Sequence, residues 1–222
     1  MNSSLKNFAL FAVAASATFA AQANLVYNPS FEMIRPIIDL GNSLSGNAGS
    51  SLDAGEWGVY TTIPGWTTVS GSGIELHRTP PSVVNPVLAP DGNVYVELDS
   101  HPGPTSNSAM AQSLTLGAGK YQLSFQYRPR TTNRDDNTIE ASFASHSVTL
   151  NGFAPAGWTT STSVFSYAGG TADLKFAALG LENTLGGFID NVSLVQVPDS
   201  GSTMAMLGVG LIGFGLIRRR SV

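Results

Sequence analysis

The run Tyr121-Gln122-Leu123-Ser124-Phe125-Gln126-Tyr127 places an apolar side chain at every second position. That is the period of a strand with one face buried and the other wet. The pattern recurs less regularly in Asp173-Leu174-Lys175-Phe176 and Ile189-Asp190-Asn191-Val192-Ser193-Leu194. No stretch between residues 24 and 196 holds an amphipathic helical pattern over three turns; short β-type runs alternate there with Gly, Pro, Asn and Ser clusters. The spacing predicts strands at Leu25 to Phe31, Trp57 to Thr62, Gly73 to Arg78, Asn93 to Leu98 and Ala109 to Leu116. It predicts others at Lys120 to Arg128, Thr138 to Leu150, Ser161 to Tyr167, Ala172 to Leu179 and Phe188 to Val195. Strands this short and numerous point to an all-β fold, two packed antiparallel sheets in a jelly-roll sandwich, and a barrel would satisfy the same pattern. Asp39 to Gly55, rich in Gly, Ser and Asn, and Thr79 to Pro90, with four prolines, read as surface loops that would carry a binding site.

Both ends depart from this pattern. Lys6 precedes the apolar run Phe8 to Ala15, and Ala21-Gln22-Ala23 follows as a small-residue cleavage site. Residues 1–23 therefore read as a signal helix removed by signal peptidase, with Asn24 as the mature N-terminus. At the other end Met204 to Ile217 is fourteen uncharged residues followed by Arg218-Arg219-Arg220. A helix of that length covers about 21 Å, short of the roughly 30 Å hydrocarbon core, so this transmembrane helix reads as a temporary anchor. The arginines would stay on the cytoplasmic side. Gly208-Val209-Gly210-Leu211-Ile212-Gly213 matches the dinucleotide-binding pattern in letters alone. It lacks the surrounding strand-turn-helix unit and the acidic residue about twenty positions on.

Residues 24 to 199 hold all 15 acidic residues and 7 of the 11 basic ones, a net charge of −8. That balance excludes a phosphate-binding nucleic-acid partner, which needs a clustered basic face. The chain has no cysteine, so neither disulfides nor thiolate metal or redox chemistry is available.

The histidines His77, His101 and His146 are scattered, and neither a Gly-x-Ser-x-Gly elbow in the domain nor a His-Glu-x-x-His pair is present. Glu97 and Asp99, two apart on one strand, share a face, as glycosidase carboxylates can, but surface acids of this kind are commonplace and solvated or turn-bonding roles fit them better. A sugar site needs aromatic platforms. Trp57, Tyr60 and Trp158 lie near expected loops and are the candidates, whereas Trp66 after Pro64-Gly65 reads as core. Arg128, Arg130 and Arg134 precede Asp135 and Asp136, either as a mutually compensating solvated loop or as a contact to an anionic glycan.

Val197-Pro198-Asp199-Ser200-Gly201, extended by Ser202-Thr203 and followed by the apolar helix 204–217 and the Arg cluster 218–220, resembles the VPDSG variant of the PEP-CTERM sorting signal. The resemblance implies an exosortase-type membrane protease as partner, removal of the 197–222 tail, a Gram-negative-type envelope and a link to exopolysaccharide. The segments Asn28-Pro29-Ser30-Phe31-Glu32, Pro64-Gly65-Trp66, Asp91 to Asp99 and Gly187 to Leu194 are similar to galactose-binding-like jelly-roll domains, bacterial carbohydrate-binding modules among them. This second resemblance implies a structural Ca²⁺ shared by Glu32 and Asp190, its shell completed by carbonyls and a side chain such as Asn28. Without calcium, Asp190 and Asn191 would bond neighbouring backbone and Asn28-Pro29 would form a turn. The expectation is a non-catalytic surface protein, sorted by exosortase, that binds or decorates extracellular polysaccharide. An adhesive matrix protein and a glycan-acting hydrolase are the competing classes.

Overall fold

The computed structural model describes residues 22–34, 43–46, 52–79, 87–101, 105–154 and 157–198. The signal helix, Asp199 to Gly201 of the sorting motif, the apolar helix and the arginine cluster lie outside the described residues. Among the described residues no helix is long and apolar enough to cross a membrane.

The strands are β1 (Ser43–Gly46), β2 (Trp57–Tyr60), β3 (Thr62–Ile63), β4 (Trp66–Ser70), β5 (Ile74–Arg78), β6 (Val94–Glu97) and β7 (Ala109–Leu116). They continue with β8 (Gly119–Arg128), β9 (Ile139–Phe143), β10 (His146–Leu150), β11 (Thr159–Tyr167), β12 (Gly170–Ala178) and β13 (Phe188–Val197). They form a seven-stranded sheet, β1-β2-β5-β6-β13-β8-β11, and a six-stranded sheet, β10-β9-β12-β7-β4-β3. Every pairing is antiparallel, and the result is an all-β jelly-roll sandwich.

The alternation in β8 drives the packing. Tyr121, Leu123, Phe125 and Tyr127 all point inward and are buried. Phe125 meets Phe176 of the opposite sheet edge-on at 5.1 Å between ring centroids, and Trp66 packs on Phe31 and Phe176. Ile74, Leu76, Val94, Val96, Ile189 and Leu194 fill the same inter-sheet core.

Five elements differ from the sequence-based expectation, and one of them is Trp57 to Thr62, expected as a single strand but split at Thr61 into β2 and β3 on different sheets. The chain from Leu25 to Phe31 forms bends rather than a strand, because Asn28 (φ 51°) and Phe31 (φ 59°) adopt left-handed backbone and Pro29 has no N–H for a ladder. The segment expected as one strand over Thr138 to Leu150 is a hairpin, β9 and β10, reversed at Ala144 (φ 52°). Ser43–Gly46, inside an expected loop, pairs as edge strand β1 with β2. The strand Trp66–Ser70 after the Pro64-Gly65 turn was absent from the expected set, although its Thr-Thr-Val run has the β-branched composition of a strand.

Because side chains alternate, the second phase of each strand in the seven-stranded sheet faces away from the core. Register aligns Trp57 with His77 and His77 with Tyr95 across β2, β5 and β6. The neighbouring row runs from Glu75 to Glu97, on to Phe188 and then to Arg128.

Candidate functional site

The outer face of the seven-stranded sheet carries polar and aromatic groups where an exposed sheet surface would ordinarily carry small hydrophilic ones. His77 stacks on Tyr95 with ring centroids 5.2 Å apart, Tyr95 lies 4.9 Å from Phe188, and Trp158 meets Tyr95 edge-on at 5.8 Å. Trp158 is fixed by its indole N–H, which donates to the Leu88 carbonyl at 2.8 Å. On the far side Trp57 lies 5.0 Å from the His101 ring. Tyr95 and Phe188 are buried, while Trp57 and Trp158 are partly exposed. Trp57 on β2 and Trp158 just before β11 are linked across this face through the His77 and Tyr95 rings, His77 being the cross-strand partner of Trp57.

Between these rings lies a charged brace. Register sets the carboxylates of Glu75 and Glu97 opposite each other on β5 and β6, a like-charge pairing that repels unless cations intervene. His77 Nε2 supplies one, 3.0 Å from Glu75 Oε1 and 3.1 Å from Glu97 Oε2. Arg130 supplies another, donating from Nη1 to Glu97 Oε1 and to the Thr184 carbonyl. Gly186 N–H also donates to Glu97 Oε1, and both the N–H and the Nδ1 of His101 bond Glu75 Oε2. Burial works to raise Glu75, but bonds from His101 and His77 outweigh it and hold the carboxyl down at about 2. Burial dominates at Glu97 and raises it, with His77 in partial opposition. Burial disfavours charge on His77, yet Glu75 and Glu97 overcome this and raise it; the Glu75 bond does the same for His101. Glu75, His77 and Glu97 have the spacing of a metal-binding group. Arg130 and the histidine protons already occupy their oxygens, so the cluster is charge-compensated as built.

A second group of carboxylates sits where the chain start meets β13. The ladder of β13 with β8 is interrupted between Asp190 and Ser193, with Asn191 left-handed (φ 49°), so a bulge turns Asp190 toward Asp91. Asp190 accepts the N–H groups of Asp91 and Asn191. Glu32 accepts those of Asn93 and Val94 at 2.6 and 2.7 Å, and Ser30 Oγ donates to Asp91. Gly92 (φ +65°) is needed here, since a Cβ on it would collide with the Glu32 carboxylate. Burial first, with the charges of Asp91 and Glu32 added, pushes Asp190 up to about 8.

The structure brings together Glu32 and Asp190 but not Asn28. The Asn28 amide oxygen accepts the Met33 N–H, and its amide nitrogen donates to the Met33 and Pro64 carbonyls, so it closes the entry loop. Tyr60 is likewise not a platform: it is 4% exposed and points into the inter-sheet core. Trp57 and Trp158 sit at opposite ends of the outer face. Glu97 and Asp99 do share that face; Asp99 Oδ2 accepts the N–H groups of Asn183 and Leu185. The basic loop is no compensating unit: Arg130 reaches Glu97 rather than Asp135 or Asp136, and Arg134 lies over the Phe153 ring at 4.7 Å. Of the sorting motif, Val197 ends β13 opposite Lys120 and Pro198 follows it.

Sequence reasoning missed Glu75, His77, Tyr95 and Asp91. The signal was present in Ile74-Glu75-Leu76-His77 and Val94-Tyr95-Val96-Glu97, whose apolar residues take one phase and whose polar or aromatic residues take the other. The adjacency of these two strands was not visible.

Residues 196–221 match the VPDSG-CTERM motif. No curated protein matches the chain by sequence. Among solved structures, the enzymatically active domain of tailspike protein 4 from bacteriophage CBA120 is 16% identical with a TM-score of 0.47. It covers 78% of this chain, which spans only 21% of that one. TmCBM61 in complex with beta-1,4-galactotriose is 17% identical with a TM-score of 0.42, over 79% of this chain and 99% of that one. A family 35 carbohydrate binding module from Clostridium thermocellum is 18% identical with a TM-score of 0.41, over 60% and 93%.

Proposed function

We propose that this is a bacterial protein sorted to the cell surface, where the outer face of its seven-stranded sheet binds extracellular polysaccharide without a catalytic step. The observation that carries this reading is the composition of the open strip over β8 and β11. Gln122, Ser124, Gln126 and Arg128 are partly exposed on β8, Thr160 and Thr162 are exposed on β11, and Trp158 stands at the end of the strip. Amides and hydroxyls on a firm sheet beside an aromatic ring suit sugar hydroxyls and the apolar face of a pyranose. Trp57 and His101 would extend the contact at the far edge. The tail supplies the location: the motif implies processing by an exosortase-type enzyme, and it begins where β13 ends.

Calcium is the cation that Glu32, Asp91 and Asp190 suit. Their hard carboxylate oxygens gather around the Asp91 to Val94 turn with no cationic side chain bonded to them among the described residues, and Asp190 is raised chiefly by burial, with the charges of Asp91 and Glu32 added. Bound there, calcium would neutralise the group; the protein's own part is the bulge and the backbone N–H bonds that hold the carboxylates in place.

The test is affinity electrophoresis of the mature domain through gels containing neutral and acidic polysaccharides. Retardation is expected with at least one polymer, weakened about tenfold by Trp158→Ala or Trp57→Ala, the scale of one lost stacking contact. Variants that melt like the parent and bind undiminished would refute this face as the site.

A further inference from the structure

Arg128 is placed unlike any other arginine of the described residues. Arg78 donates to the Leu52 carbonyl at 2.7 Å, Arg130 to Glu97 and Thr184, and Arg134 to the Asn151 carbonyl while covering Phe153. Arg128 is partly buried and has no hydrogen bond, ion pair or ring contact among the described residues. Alternation turns it outward, since Phe125 and Tyr127 are in the core, and register sets it directly opposite Phe188 on β13. On its other side β11 pairs Thr159 with Tyr127, which brings Trp158 alongside Arg128.

A cation removed in part from water and left unpaired is unfavourable, so such a site is completed by an anion that arrives with a ligand. Guanidinium suits a carboxylate: its planar fork makes two parallel hydrogen bonds, and it tolerates aromatic neighbours better than an ammonium does. The net charge of −8 on residues 24–199 repels polyanions in general. An acidic polymer would be held only where a local cation faces it.

We propose that the outer face reads an acidic polysaccharide, with Arg128 pairing the carboxylate of a uronate unit next to Trp158 while Gln126 and Thr160 meet its neighbouring hydroxyls. This rests on the polysaccharide-binding reading of the same face and names the sugar class.

The experiment compares polyuronates, polygalacturonate and alginate, with the same polymers after their carboxylates are reduced to alcohols, using titration calorimetry on the wild type, Arg128→Gln and Arg128→Lys. Tighter binding of at least one parent polyuronate is expected, falling about tenfold on carboxyl reduction, the scale of one charge-assisted hydrogen-bonded pair. Arg128→Gln should lose the same factor and no longer distinguish parent from reduced polymer, and Arg128→Lys should fall between. Equal binding of parent and reduced polymers, or an undiminished Arg128→Gln variant, overturns the uronate assignment and leaves the face as a neutral-glycan site. Absence of binding to every polymer, neutral ones included, overturns the underlying reading and the assignment with it.

Discussion

Two carboxylates directly opposite each other inside a sheet face repel unless one is protonated or positive charge lies against them, and His77 between Glu75 and Glu97, with Arg130 on Glu97, supplies that charge. This makes the brace sensitive to pH. His77 and His101 are both raised above 6.5, by Glu75 and Glu97 in the first case and by Glu75 in the second. A base whose folded value exceeds its unfolded one contributes its full stabilisation below about 6.5 and loses it as pH rises through the folded value. Glu75 behaves in the opposite sense: held at about 2, it contributes above 4.5 and loses that contribution as pH falls toward 2. The melting temperature of the wild type should therefore decline as pH rises above 6.5. In His101→Gln the decline should be shallower, because one of the two titrating partners is gone. Identical slopes in thermal scans from pH 6 to 9 would show that His101 is not coupled to Glu75.

Among the elements, β8 was legible from its sequence and the bulge within β13 was not. Tyr121 to Tyr127 alternates so strictly that its inward phase needs no tertiary information, and Ala109–Leu116 has the expected bounds although only its second half alternates. The entry loop misled because Leu-Val-Tyr has strand composition, whereas the deciding features are local backbone states at Asn28 and Phe31. Glu32 and Asp190 were linked in advance only through resemblance. Their meeting depends on the β13 bulge, and nothing in the one-dimensional pattern of Ile189 to Leu194 announces a bulge. The same distance between pattern and pairing hid the brace, since Glu75 and Glu97 become neighbours only when β5 lies beside β6. The calcium proposal belongs at this scale. Adding calcium to chelated protein should raise the melting temperature, as any ligand that binds only the folded state does. Asp190→Asn should abolish that rise while relieving the repulsion that burdens the chelated form. An unchanged midpoint in the wild type would refute the site.

For the molecule as a whole, the two sheets divide the work. The six-stranded sheet closes the core against β8 through Phe143, Phe176 and Trp66, and the seven-stranded sheet turns its other face outward with Trp57, Trp158 and, beside Trp158, Arg128, which has no ion pair among the described residues. The chain then leaves β13 straight into the sorting motif, so the domain and its processing signal are adjacent in sequence. The three tryptophans mark this division, since Trp57 and Trp158 lie on the outer face and Trp66, 1% exposed, lies between the sheets. Each contributes one indole N–H resonance, so titrating polysaccharide into ¹⁵N-labelled mature domain compares the outer face with the core in a single spectrum. Saturable movement of the Trp57 and Trp158 resonances with Trp66 stationary is the expected result; three unmoved resonances in the presence of a bound polymer would contradict the outer face as the binding surface.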